Sequence, residues 1–495
     1  MEDSWAASGG DLHIELSGTR VRAALEQALR DAVRTGRLMP GTGLPSSRSL
    51  ARDLGVARNT VADAYGQLVA EGWLTARQGS GTRVAGNVAR LGAEQDSAPL
   101  ASDGPRVAYD LRPGTPDMSA FPRGAWLSAA RRAMTAAPSE AFGYPDPRGR
   151  PELRRALAAY LARARGVRAT PGRVLVCSGY AQGLWLLCAA LRSTGATTLA
   201  VESLSLDHHR DIIGAAGLRT LPVMVDEAGA RIGELETSAA GAVLLTPAHQ
   251  FPTGSLLAPP RRAAAVEWAR RTGGLVIEDD YDGEFRYDRQ PVGALQGLDP
   301  DHVVYAGTAS KSLAPGLRLA WMVLPQCLVE PVATVTSDLR WRTSVFDQLT
   351  LAEFIESGDY DRQVRRSRLR YRRRRDRLAS ALAGVAPGST VPEDAASHRA
   401  ASAERAPLVR VRGIAAGLHA VVELPGLDAG TEEAVIARAA DQGLAVDGLS
   451  RYRYVPDDRA PAALVIGYGT PPDHAFSGAL GALCDLIRQV RSRLG

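Results

Sequence analysis

Lysine is nearly missing from this chain. Of its 59 lysine and arginine residues, a single one, Lys311, is lysine. Cysteine is scarce as well. Cys177, Cys188, Cys327 and Cys484 are scattered, with no metal-ligand spacing and no disulfide framework, so no metal centre is expected. No run has the length and apolarity of a membrane span. Met1 to Gly10 is polar and acidic, without the apolar stretch of an export signal. These absences exclude a disulfide-stapled or membrane-embedded protein. A soluble cytoplasmic protein without a membrane partner is expected.

What is present is ordinary in bulk and uneven in detail. With 495 residues, 45% of them apolar, two or three domains with a large core are expected. The net charge is +5, and it is not evenly spread. Arg20 to Arg83 holds ten arginines against five acids, which accounts for the whole surplus. A basic amino-terminal region on a neutral body points to a polyanion such as DNA. A solvated arginine-rich face is the alternative that charge alone leaves open.

The periodicity of that region predicts a helix over 20–35, with Val21, Leu25, Ala28, Leu29 and Ala32 on one side. Ser46 or Ser47 caps a short helix ending at Gly55, and Arg58-Asn59-Thr60 opens another running to about Glu71. Val61, Ala64, Tyr65 and Leu68 form its inward face. Short strands at Trp73-Leu74 and 82–84 flank a glycine-tipped turn. This is the element order of a winged helix-turn-helix, assigned to residues 12–86. Arg58, Asn59 and Thr60 stand where such a helix reads base edges. Ser46, Ser47, Arg48, Arg52 and Arg77 suit phosphates, and Gly79 and Gly81 let the wing approach the backbone.

Residues 87–108 read as a linker. From Tyr109 to the end, strand-like runs (173–177, 198–202, 242–246, 275–278, 303–306, 320–324) alternate with helical ones. This predicts an α/β domain with a mainly parallel sheet covered on both faces. A smaller carboxy-terminal part begins near Asp361 with an arginine-rich helix over 362–377. It continues with strands at 420–424 and 464–467, and a flexible loop is expected over 391–406.

Lys311 lies in Thr308-Ala-Ser-Lys-Ser-Leu-Ala-Pro-Gly-Leu-Arg318. Arginine cannot lose its proton near neutral pH; a partly buried lysine can, and its neutral amine can form a Schiff base with pyridoxal 5′-phosphate. The nearby hydroxyls of Thr308 and Ser310, with Arg318, suit a phosphate. Asp279 and Tyr281 follow an apolar strand, where ligands bind in open α/β sheets. A carboxylate there can hold a pyridine nitrogen protonated, and a tyrosine can bond a ring phenolate. Ser178-Gly179-Tyr180-Ala181 opens a helix after another strand and offers free N–H groups to an anion. His249 lies in a turn after a third strand.

Two resemblances join these pieces. Leu44-Pro-Ser-Ser-Arg-Ser-Leu-Ala51, Arg58-Asn-Thr-Val61 and the Gly72 to Thr82 segment resemble the GntR family of winged-helix repressors, in which Arg48, Arg58, Thr60 and the wing glycines would touch DNA. Thr246 to Gly254, Glu278 to Phe285 and the Lys311 segment resemble fold-type I pyridoxal-phosphate enzymes, the aspartate aminotransferase group. Joined on one chain, they resemble MocR-type regulators. The resemblance implies a fold-type I aminotransferase-like large and small domain and a homodimer on a double-stranded operator. It implies a small-molecule effector, either the cofactor or an amine reacting with it. Lys311 would form the internal aldimine, Asp279 meet the ring nitrogen and Tyr281 the phenolic oxygen. Thr308, Ser310, Arg318 and the Gly179 to Ala181 turn, entered from Ser178, would hold the phosphate, with His249 or Gln250 near the ring. A working aminotransferase with an accessory winged helix is the alternative. Two departures stand out. Leu206 replaces the expected stacking aromatic, and Pro461 to Gly467 lacks the arginine that would clamp a substrate carboxylate, leaving Arg453 or Arg459 as candidates.

Overall fold

The computed structural model describes residues 21–77, 81–86, 107–287, 292–385 and 409–492. Gly79, nearly all of the linker and the loop at 391–406 lie outside them. The chain divides into two compact units, Met1–Gly104 and Pro105–Gly495.

The first unit contains α1 (Val21–Arg34), β1 (Gly43–Leu44), α2 (Ser47–Asp53), α3 (Arg58–Ala70), β2 (Leu74–Arg77) and β3 (Gly81–Val84). The strands form an antiparallel sheet in the order β1-β3-β2. Ser46 is the cap of α2: its side chain accepts the Ser49 N–H at 3.1 Å. Val61, Ala64, Tyr65 and Leu68 are the buried face of α3 and pack with Leu25 and Leu29 of α1. The Tyr65 hydroxyl donates to the Pro45 carbonyl at 3.1 Å, which ties α3 to the entry of α2.

The second unit is built on seven strands: β4 (Val174–Cys177), β5 (Thr198–Glu202), β6 (Arg219–Val223), β7 (Ala242–Leu245), β8 (Leu275–Asp279), β9 (Val303–Thr308) and β10 (Ala320–Val323). Their order is β4-β10-β9-β8-β7-β5-β6, and only β10 runs antiparallel to its neighbours. Both faces of the inner strands are buried, so they read as continuous apolar runs rather than alternating ones, whereas the edge strand β6 is exposed at Arg219 and fully buried only at Val223. Successive residues still part to opposite sides. Leu175, Leu244, Ile277, Val304 and Met322 join one core cluster, whereas Val176, Val243, Val276, Val303 and Val323 belong to two others.

Helices α4 (Arg123–Ala136), α5 (Pro151–Arg165), α6 (Tyr180–Ser193), α7 (Asp207–Ala215), α8 (Pro259–Thr272), α9 (Gln326–Asp338) and α10 (Val345–Glu356) accompany the sheet. The long α11 (Asp359–Ala383) leads to a four-stranded antiparallel sheet, β11 (Arg410–Arg412), β12 (Ala420–Asp428), β13 (Asp447–Gly448) and β14 (Pro461–Ile466), ordered β11-β12-β14-β13. Helices α12 (Glu432–Asp441) and α13 (Asp473–Ser492) belong with it. No described helix is long and apolar enough to cross a membrane.

Candidate functional site

The arginines of the first unit fall into two groups. Arg22, Arg30 and Arg34 pair with Glu26, Glu71 and Asp31. Arg30 and Glu71 pair most closely, at 2.8 Å, and the Arg30 hydrogen bond lowers the Glu71 carboxyl to about 2. Arg48, Arg52, Arg58 and Arg77 are exposed and form no ion pair among the described residues. Asn59 is exposed beside Arg58, and Thr60 is half-buried in the first turn of α3. Ser46 caps α2 through the oxygen assigned to phosphate, so its hydroxyl has a structural partner; Ser47 opens the helix. Gly81 has φ 79°, a backbone that favours glycine at the strand start. Arg48, Arg52, Arg58 and Arg77 thus lie on α2, the start of α3 and the hairpin, while Arg37, also exposed and without an ion pair among the described residues, follows α1 and bonds the Thr35 hydroxyl.

In the second unit the carboxyl ends of β5, β7, β8 and β9 open on a cavity of about 420 Å³, lined in part by Glu202, Thr246, Asp279, Thr308, Lys311 and Tyr180. This is where an open parallel sheet binds ligands. Asp279 ends β8 and is 5% exposed. Its Oδ1 has no hydrogen-bond partner among the described residues. Burial pushes its carboxyl up to about 8, against the pull of the Tyr180 hydroxyl and the Lys311 ammonium. Burial lowers the Lys311 amine from its ordinary value, with Asp282 and Asp279 opposing. Its Nζ donates to the Gly114 carbonyl at 2.5 Å.

The oxygens of Thr308 and Ser310 lie 2.8 Å apart, and the Ser310 N–H donates to Thr308 Oγ1 at 3.1 Å. Arg318, at φ 53°, brings its guanidinium against Gly179. Gly179 has φ 88° and ψ 161°, and a Cβ there would stand 2.9 Å from Arg318 Cζ. Tyr180 and Ala181 form the first turn of α6, directly after it. Thr308, Ser310 and Tyr180 line the cavity, whereas Gly179, Ala181 and the exposed Arg318 are not among its lining residues.

Two assigned residues have other work. Ser178 Oγ shares a hydrogen bond with Thr343 Oγ1 at 3.1 Å. His249 does not line the cavity. It sits behind Tyr281, its Nδ1 3.1 Å from the tyrosine hydroxyl and 2.8 Å from Asp282 Oδ2. It therefore orients Tyr281, which does line the cavity.

The sequence reading missed several contributors. Glu202 accepts from Thr246 Oγ1 at 2.6 Å and from Gln250 at 3.2 Å, and burial lifts its carboxyl to about 7. His209, three residues beyond Leu206 and one turn along α7, lies 4.9 Å from the Tyr180 ring. Both rings line the cavity with Leu206, so aromatic surface enters from α6 and α7 despite the leucine. The α7 spacing was the available signal. Neither Arg453 nor Arg459 is among the lining residues, whereas Arg112 and Arg451 are.

Comparison with known proteins agrees with both halves. Residues 21–84 match the bacterial regulatory proteins of the gntR family, and residues 115–396 match aminotransferase class I and II. The pyridoxine biosynthesis transcriptional regulator PdxR of Corynebacterium glutamicum is 31% identical, over 95% of this chain and 96% of its own. The probable rhizopine catabolism regulatory protein MocR of Rhizobium meliloti is 33% identical, over 71% and 74%. Among solved structures, a multiple substrate aminotransferase from Thermococcus profundus superposes with a TM-score of 0.66 at 20% identity, covering 82% of this chain and 97% of its own. An archaeal alanine:glyoxylate aminotransferase gives 0.65 at 21%, covering 77% and 91%. A winged helix fused to an aminotransferase fold defines a class of DNA-binding regulators with an enzyme-derived second domain. This chain belongs to that class as a member of the MocR-type transcriptional regulators, GntR winged helix and aminotransferase class I and II domain together.

Proposed function

We propose that this regulator holds pyridoxal 5′-phosphate in the cavity of its large domain and reports the state of that cofactor to an operator. The observation that carries the reading is the buried, unpartnered Asp279 oxygen in one cavity with the chain's sole lysine. A buried polar atom without a partner is costly, and a protonated ring nitrogen would supply one. With its carboxyl near 8, Asp279 carries a proton at neutral pH that it can hand to such a nitrogen. Tyr281, oriented by His249 and Asp282, offers a hydroxyl to a ring oxygen. Arg318, Thr308, Ser310 and the start of α6 would hold the phosphate.

When bound, the cofactor supplies an aldehyde carbon for which Lys311 and an incoming primary amine compete. Burial lowers the Lys311 amine from its ordinary value, which favours the neutral form that can compete. The relative named for pyridoxine biosynthesis supports a link to vitamin B6. Arg48, Arg52, Arg58 and Asn59 would meet double-stranded operator DNA, in a homodimer whose geometry sets the half-site spacing. The switch is a coupling between two sites through two states of that dimer.

Protein incubated with the cofactor should gain an absorbance band at roughly 400–430 nm. Lys311→Ala should lack it, and borohydride should leave the wild-type label on Lys311. Protein that stays colourless in excess cofactor would refute the proposal. Footprinting with and without cofactor then tests the coupling.

A further inference from the structure

The charges around the cavity bear on which amine it admits once the cofactor is held there, a question that rests on the cofactor reading. Among the described residues lining the cavity, the cationic side chains are Lys311, Arg112 and Arg451. Arg112 is held by Asp110 through two contacts, at 3.0 and 2.7 Å. Arg451 Nη1 lies 3.2 Å from Asp447 Oδ1, while the Tyr452 hydroxyl donates to the other oxygen at 2.6 Å. Both counter-ions line the same cavity, so each arginine arrives with a carboxylate already beside it.

The two lining histidines add no charge. Burial pushes His209 down to about 3 and His419 well below its ordinary value. Glu202 and Asp279 add carboxyls. Phe251, Tyr452 and Leu206 make an apolar stretch of the lining, backed by Leu449, Val421 and Val465 in one cluster. Phe251 and Tyr452 meet edge to face, 5.1 Å apart.

A carboxylate brought here would have to share a guanidinium with Asp110 or Asp447, close to that like charge, or lie against hydrocarbon, and either costs binding energy. A primary amine with an apolar body meets neither obstacle. We propose that the ligand class of this site is primary amines with an apolar body and no carboxylate, rather than amino acids.

The test uses full-length protein loaded with pyridoxal phosphate. 2-Phenylethylamine is compared with L-phenylalanine, and butylamine with L-norvaline. The cofactor band is followed in one series and operator affinity by gel shift in another. Each amine should reach half-effect at a concentration at least about tenfold below that of its carboxylated partner. Asp110→Asn with Asp447→Asn frees both arginines and should narrow that gap at least about threefold by improving the amino acids. Amino acids acting at equal or lower concentration than the amines overturn the inference. So does an unchanged gap in the double variant. Both results leave the cofactor reading standing, whereas a protein with no cofactor band removes both.

Discussion

Substituting Gly179 with alanine separates what the backbone demands from what the ligand demands. At φ 88° and ψ 161°, Gly179 occupies a region closed to other residues, and alanine there costs about 1–3 kcal/mol of strain. Unfolding entropy of about 2.1 cal/mol/K per residue gives about 0.8 kcal/mol/K for the unit Pro105–Gly495. The melting temperature of cofactor-free protein should therefore fall by about 1–4 °C. The second effect is chemical. The new Cβ would stand 2.9 Å from Arg318 Cζ and 3.1 Å from both terminal nitrogens, so the guanidinium must swing away. Affinity for pyridoxal phosphate should drop at least about tenfold, or 1.4 kcal/mol. Pyridoxal without its phosphate should bind nearly as before, because the loss falls on the phosphate cradle. Calorimetric titration with the two vitamers, alongside thermal melts, measures both. A variant that melts normally refutes the strain argument. One that loses both vitamers equally refutes the assignment of Gly179 and Arg318 to phosphate.

Arg58→Ala should weaken operator binding by roughly 1–3 kcal/mol in gel shifts at fixed salt, without lowering the melting temperature, since Arg58 is exposed and unpaired; unchanged affinity counts against α3 as the reading helix. For Asp279 the folded carboxyl lies near 8, above its ordinary 3.8, so the stability it confers is complete at low pH and is lost as pH rises through about 8. Cofactor-free Asp279→Asn should therefore melt increasingly above wild type as pH rises from about 5 to 9, and parallel melting curves would contradict the shift. Arg165 holds Asp280 at 2.7 and 3.0 Å with both side chains buried. Arg165→Met should cost about 3–5 kcal/mol by stranding that carboxylate, with Arg165→Met/Asp280→Asn recovering most of it in denaturant melts.

How far the sequence spoke depended on how local each feature is. The α2 cap and the buried face of α3 were legible because capping and helical period involve residues a few positions apart. Six of the seven large-domain strands were found for a similar reason, since burial on both faces leaves continuous apolar runs; the edge strand Arg219–Val223 was missed because only its last residue is fully buried and its sequence carries no such run. The two-residue β1 escaped, since nothing but its pairing with β3 defines it. Lys311, Asp279 and Tyr281 were visible as motif residues at strand ends. His249 was found too, but its place behind Tyr281 depends on Asp282 coming from another loop. Arg112 and Arg451, some 340 positions apart in sequence, share a cavity only through folding, and no spacing announces them.

The contrast between arginine and lysine then acquires a physical meaning. Arginine is never neutral under ordinary conditions, so every buried copy must bring a carboxylate or carbonyl with it. Arg165 has Asp280, and Arg374 has Asp117 at 3.1 Å and Asp473 at 2.5 Å, its guanidinium resting 5.0 Å from the Phe476 ring centre. Arg112 and Arg451, though exposed, are paired as well, with Asp110 and Asp447. Lys311 differs: among the described residues no carboxylate lies in ion-pair contact with its nitrogen, which instead donates to the Gly114 carbonyl, and burial draws its proton off more readily. A chain with 58 guanidinium groups has ample means of holding fixed charge, but none of releasing a proton and attacking carbon. The single lysine lines the same cavity as Asp279, whose Oδ1 has no hydrogen-bond partner among the described residues, and the proposed function gives that ability a use there.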